Sequence, residues 1–187
     1  MAILPVDPAT FQRQPWANGG GVTTELAAGP DRHDWQWRIS LAQVDVPGPF
    51  SALPGVQRQI APLDVGLDLH FDDGRTVQLQ RLQTFAFAGD PAPRCELPDG
   101  PGRDINLMLR HGAAGELIVR PLVGHMVLPA GTTSRWFIYL LAGHASVSDA
   151  RDEYRLEAGQ AVWMEPNAAG RHAIDGAGEV ILVRLAL

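Results

Sequence analysis

The chain has 187 residues, 45 % of them hydrophobic, and a net charge of −6. That length suffices for one large domain or two small joined ones with a buried core, and the acidic balance argues against nucleic acid or an anionic membrane as partner. All fifteen basic residues are Arg, which excludes lysine Schiff bases, phosphate-loop lysines and lysine general bases. The opening residues Met1 to Pro8 lack the basic and apolar regions of a signal peptide, and Met1 to Phe11 read as a strand or extended arm. Pro15 to Leu26 is a polar loop running into a strand. Trp35 to Ala42 alternates, with Trp35, Trp37, Ile39 and Leu41 on one face and Gln36, Arg38, Ser40 and Ala42 on the other. Gly48 to Ile60 begins as a loop and becomes a strand. Val65 to Phe71, the turn signal Asp72-Asp73-Gly74 and Thr76 to Leu82 form a hairpin. A short helical turn is expected around Asp104 to Leu109, capped by Asp104. Beyond it, Gly115 to Pro121, His125 to Leu128, Ser134 to Ala142, Ala145 to Ser148, Glu153 to Leu156, Ala161 to Glu165 and Glu179 to Ala186 read as strands.

Twenty Gly and fifteen Pro cut the chain into pieces too short for long amphipathic helices but suited to short strands. Many short strands at this spacing predict an all-β sandwich or jelly-roll barrel. Composition shifts at Gly112-Ala113-Ala114-Gly115, so the domains are expected at 1–112, motif-bearing and holding the pocket, and at 113–187, mainly scaffold. No stretch of about 18 apolar residues exists, so no membrane span is expected. Cys95 is the single cysteine, which leaves no intrachain disulfide and fits a cytoplasmic location. Beside Arg94 alone it reads as a small buried residue rather than a nucleophile.

Four segments could carry chemistry. In Pro15-Trp16-Ala17-Asn18-Gly19-Gly20-Gly21-Val22-Thr23, three consecutive glycines are either a flexible turn or a nest of backbone N–H donors for an anion; Trp16, Asn18 and Thr23 favour a site. Arg38 and Ser40 are surface residues if their face meets solvent and ligand contacts if it lines a cavity. Arg58 poses the same choice between a surface Arg and a second cationic group of a site. Phe85-Ala86-Phe87-Ala88-Gly89-Asp90 is followed by Asp104-Ile105-Asn106-Leu107-Met108, where Asp104 and Asn106 share a face if the stretch is extended. The six histidines show neither i, i+2 nor i, i+4 spacing, so no metal site and no cofactor are expected.

These segments resemble the HutD/Ves family. The resemblance rests on five blocks in order: Pro15-Trp16-x-Asn18-Gly19-Gly20-Gly21-Val22-Thr23-x-Glu25; Trp37-Arg38-Ile39-Ser40-x-Ala42-x-Val44; Gly48-Pro49-Phe50-Ser51-x-x-Pro54-Gly55-Val56-x-Arg58; Phe85-x-Phe87-x-Gly89-Asp90; and Cys95-x-Leu97-x-x-Gly100-Pro101-x-x-Asp104-x-Asn106-Leu107-Met108. Ala17 departs from an expected Lys, and Arg110-His111 from an expected arginine pair. The resemblance implies a double cupin-like (bicupin) fold of jelly-roll barrels and an association with histidine utilisation, with urocanate or formylglutamate as the type of ligand. Gly159 to Pro166 followed by Gly170-x-His172 looks like a degraded second cupin motif, while the His-x-His and Glu of the first are missing.

The leading expectation is a non-catalytic binder of a small carboxylate. Arg38 and Arg58 would hold the carboxylate. Asn18, Ser40 and Asn106 would orient it, Phe87 and Met108 would form apolar walls, and Trp16, Gly19, Gly20, Thr23 and Asp104 would complete the site. The alternative is a metal-free isomerase or hydrolase with Asp104 or Glu25 as acid/base group. A module acting through a protein partner is a third reading, and a homodimer is compatible with the sequence.

Overall fold

The structure is a computed structural model and describes residues 3–129, 131–166 and 171–187. Its strands are β1 (Ile3–Val6), β2 (Gln12–Pro15), β3 (Gly21–Pro30), β4 (Trp35–Val44), β5 (Gly48–Pro49), β6 (Gln57–Pro62), β7 (Leu67–His70), β8 (Thr76–Leu79), β9 (Phe85–Ala88), β10 (Arg94–Glu96), β11 (Gly102–Leu109), β12 (Gly115–Leu128), β13 (Ser134–Ser148), β14 (Glu153–Glu157), β15 (Ala161–Met164) and β16 (His172–Ala186). Only a 3-10 turn at Pro8–Thr10 breaks the all-β pattern among the described residues, and no helix there is long and apolar enough to cross a membrane. The chain divides into two units, Phe11–Ala113 and the first ten residues together with Ala114–Leu187.

The unit Phe11–Ala113 has a six-stranded sheet in the order β2-β3-β4-β11-β6-β9 and a four-stranded sheet in the order β5-β10-β7-β8. Ile60 and Phe87 of the first sheet pack with Leu67, Leu69, Leu79 and Cys95 of the second, so the sheets share one apolar layer. Such burial stabilises by roughly 25 cal/mol per Å² of apolar surface removed from water. Both sheets are open paths of hydrogen-bonded strands, not the closed jelly-roll barrel expected. The expected hairpin is present, with Leu67 opposite Leu79 and His70 opposite Thr76, and Gly74 at φ +83° makes its turn. The expected helical turn at Asp104 to Leu109 is instead the strand β11, paired on both sides with β4 and β6. Two ladders of backbone hydrogen bonds outweigh a single cap.

In the other unit one six-stranded sheet runs β1-β15-β13-β16-β12, with β14 also on β13. Strands expected separately at Gly115 to Pro121 and His125 to Leu128 are continuous in β12, and Ser134 to Ala142 and Ala145 to Ser148 are continuous in β13. Gly143, between the latter two, marks close approach rather than a strand end, its Cβ position lying 2.0 Å from the Ala177 carbonyl oxygen. Gly178 has φ +147°, and a Cβ there would sit 1.9 Å from the Ala142 carbonyl oxygen. The pairing of β13 and β16 shifts register at the same place, between Leu140 and Ala142. One core draws on residues either side of this point, Ile138 and Leu182 before it, Val147 and Ile174 beyond. His172 is buried there with both ring nitrogens unpartnered; burial lowers its pKa, opposed by Asp149. Gly170 of the expected second motif lies outside the described residues.

Candidate functional site

The inner face of the six-stranded sheet carries the site. Register places Ala42, Asp104 and Pro62 in one row, Ser40, Asn106 and Ile60 in the next, and Arg38, Met108 and Arg58 in a third. The alternation of β11 turns Asp104, Asn106 and Met108 to this face and Ile105 and Leu107 to the other. Arg38 and Arg58 thus flank Met108, two strands and about 10 Å apart.

A cavity of about 400 Å³ lies here. Nine expected site residues line it: Trp16, Asn18, Thr23, Arg38, Ser40, Arg58, Asp104, Asn106 and Met108. Phe87 does not line it but lies against Arg58, its ring centroid 5.1 Å from the guanidinium carbon. Gly19 and Gly20 are not in its wall; Gly20 belongs to an adjoining depression of about 250 Å³ that shares Trp16, Asn18, Pro49 and Phe50. The residues not anticipated are Gln14, Pro15, Ala17, Ala42 and the run Pro49, Phe50, Ser51 and Leu53. The motif Gly48-Pro49-Phe50-Ser51 was their signal.

The glycine segment is a laced turn and not an anion nest. Gly19 N–H donates to the Trp16 carbonyl (3.0 Å) and Trp16 N–H to the Gly21 carbonyl (2.9 Å). Gly20 N–H donates to Asn18 Oδ1 (2.9 Å). With those donors spent, the segment's product is the placement of Trp16, whose Nε1 donates to Thr23 Oγ1 at 2.8 Å.

Arg58 is 5 % exposed. Its guanidinium lies between Phe50 and Phe87, 4.8 and 5.1 Å from their ring centroids, an arrangement that favours a cation. Its Nη2 donates to Asn106 Oδ1 at 2.6 Å, Asn106 Nδ2 donates to Asp104 Oδ1, and Arg58 Nε and Asp104 Oδ2 are buried without a protein partner. Burial pushes the Asp104 carboxyl up to about 7, although Arg58 and the Asn106 hydrogen bond pull it down. Burial brings Arg58 down to about 10, against the pull of Asp104. Desolvation therefore outweighs pairing for both. At the outer side Glu25 sits 2.8 Å from both Arg38 Nε and Arg32 Nε. Cys95 is fully buried, its thiol pushed up to about 12 by burial and then by Asp104, Glu96 and Asp68. Among the described residues, no three His, Cys, Asp or Glu side chains are grouped to hold a metal ion.

The arrangement offers two cations of unequal access to an anionic group, with amide and hydroxyl groups between them and aromatic walls around.

A HutD family model matches residues 8–182. The chain is 29 % identical to Protein Ves of Cronobacter sakazakii over 168 residues, 89 % of each chain. It is 37 % identical over 101 residues to an uncharacterized 21.2 kDa protein in the hutC 3′ region of Pseudomonas putida, a match covering 52 % of this chain and 53 % of that one. The structure of HutD from Pseudomonas fluorescens superposes with a TM-score of 0.78 at 26 % identity over the whole of both chains. The all-β fold also resembles cupin-like proteins at low identity, such as YlbA of Escherichia coli, with TM-score 0.70, 10 % identity and 99 % and 90 % of the two chains covered. The family is associated with the histidine-utilisation locus. This chain belongs to the HutD family.

Proposed function

We propose that this chain is a binding protein for a small carboxylate metabolite that tunes histidine utilisation. The observation that supports the reading is Arg58, a guanidinium buried in the wall of a 400 Å³ cavity with its Nε unpartnered. A buried donor without a partner costs about 1–3 kcal/mol, a cost that a ligand oxygen would relieve. Arg38, 24 % exposed, would meet the same carboxylate or a second polar group from the cavity's outer side. The structure of the P. fluorescens relative was determined in a formate condition, and formate is the simplest ligand of this class. Urocanate and formylglutamate are the metabolite-sized candidates. We read the two units as cupin-like halves of a bicupin, working in the cytoplasm.

Calorimetry with urocanate, formylglutamate, glutamate and formate at millimolar concentration tests the proposal. Heat is expected with at least one, and Arg38→Ala is expected to weaken that binding about tenfold to a hundredfold, the worth of a hydrogen bond to a charged group. Silence from all four sinks the carboxylate reading.

A metal-free enzyme is the second reading, favoured by Asp104, whose carboxyl titrates near the pH at which a general acid or base works best. Turnover of a histidine-pathway intermediate that disappears in Asp104→Asn would favour it over simple binding. Glu25, held by two arginines, is a poorer acid/base group than Asp104.

A further inference from the structure

In the carboxylate reading, a ligand and Asp104 contend for one buried guanidinium. Asp104 is linked to Arg58 through Asn106, which accepts from Arg58 and donates to Asp104. Asp104 is 1 % exposed, and its Oδ2 has no protein partner. A ligand carboxylate beside Arg58 would bring a second negative charge within a few ångströms. Like charges that close in a desolvated site cannot both stay ionised cheaply.

The neighbouring charges do not remove the conflict. On β6 the facing group is Arg58, a cation that draws Asp104 towards ionisation. On β4 stands Arg38, already ion-paired to Glu25 of β3, which also holds Arg32. On β10 stands Cys95, whose raised pKa keeps it a neutral thiol. Counting these groups as ionised, three arginines face two acids, Glu25 and Asp104. The positive charge left for a ligand rises from one to two when Asp104 takes a proton.

We propose that Asp104 sets the charge the site accepts: a ligand carboxylate and one proton bind together, the proton residing on Asp104. The inference rests on the carboxylate reading above. The proton comes from solvent and sits on Oδ2, the carboxyl oxygen that no protein donor occupies. No other group of the site is suited to receive it. Arginine is already protonated, and the two Glu25 oxygens are engaged by Arg32 and Arg38. The site is then selective for ionisation state as well as for shape, taking a monoanionic head and disfavouring further negative charge at its deep end. The raised carboxyl of the ligand-free protein agrees with this, since Asp104 needs little further push to become neutral.

Calorimetry with sodium formate, run at each pH in two buffers of very different ionisation heat that are neither carboxylates nor phosphate, counts the protons exchanged. At pH 8 the uptake is expected to approach one proton per formate bound, and at pH 5 to approach zero. The apparent affinity is expected to fall about tenfold from pH 8 to pH 9, as one coupled proton requires. Asp104→Asn, which mimics the neutral carboxyl, is expected to lose both the proton uptake and the pH dependence, and Asp104→Ser, smaller and also uncharged, to do the same. Formate binding with no proton uptake at pH 8 overturns the inference and leaves the carboxylate reading standing. Uptake that persists in both variants overturns it as well. If no carboxylate binds at any pH, the binding reading itself fails, and the inference falls with it.

Discussion

Replacing Arg58 by Met is expected to destabilise the protein by about 3 kcal/mol at pH 8, and by about 1 kcal/mol less at pH 5, because it removes the buried cation that faces Asp104. The sign follows from Asp104. Its folded-state carboxyl is raised from the usual 3.8 to about 7, whereas in the unfolded chain it ionises near 4. Between those values the unfolded chain holds fewer protons, so this group's contribution to stability declines as pH rises through that window. Arg58 is the charge that restrains the rise. Without it Asp104 stays protonated to still higher pH, and the decline continues beyond 7. At pH 5 the carboxyl is neutral in both proteins, and what remains is the packing difference and the lost hydrogen bond from Arg58 to Asn106. Methionine fills the slot between Phe50 and Phe87, so lost volume is a minor part of the effect. Urea unfolding at the two pH values measures the difference, and carbon-13 titration of Asp104 should show its midpoint moved upward. An equal loss at both pH values would contradict this account of the pair. The variant should also lose carboxylate binding.

Gly21→Ala is expected to cost about 3 kcal/mol and to disorganise the cavity wall, whereas Gly19→Ala should cost about 1–2 kcal/mol and leave the wall intact. A Cβ on Gly21 would fall 2.2 Å from the Gln43 carbonyl oxygen and 3.1 Å from Trp16 Cε3. Backbone cannot yield there, because Gly21 pairs with Val44 at the start of β3. The chain would have to part from β4 and push Trp16 aside. Gly19, at φ +71°, has nothing within 4 Å of its Cβ position, so alanine there carries only the penalty of left-handed backbone. Thermal unfolding ranks the two, and tryptophan fluorescence reports whether Trp16 has moved. Comparable losses in both would mean that the triplet matters for its flexibility and not for its contact with Trp16.

The two glycines also show where sequence reasoning succeeds and where it stops. Alternation in Trp35 to Ala42 is a local property, and it located the polar face that Arg38 and Ser40 present to the cavity. Asp104 and Asn106 read as neighbours on one face if extended, although β11 depends on partners roughly 40 to 70 residues away in the chain, and local reasoning left a helical turn and an extended strand both open. Strand pairing is a tertiary effect that can override such a cap. Gly143 and Gly178 were read as punctuation because a glycine in sequence looks the same whether the chain turns or another backbone approaches. Phe50 was missed as a partner of Arg58 because its loop gives no periodicity to read. Arg58 itself was undecided between solvent and site, and only aromatic rings brought in from other segments bury it in the cavity wall.

Cys95 has a practical consequence. Its thiol is enclosed between sheets and resists ionisation, and thiolate is the form that reacts with maleimides and iodoacetamides. The native protein is therefore expected to be silent to such reagents under mild conditions. A cysteine introduced at Ala17, exposed at the cavity wall, would be the one reactive thiol, and a fluorophore attached there would report occupancy against almost no background.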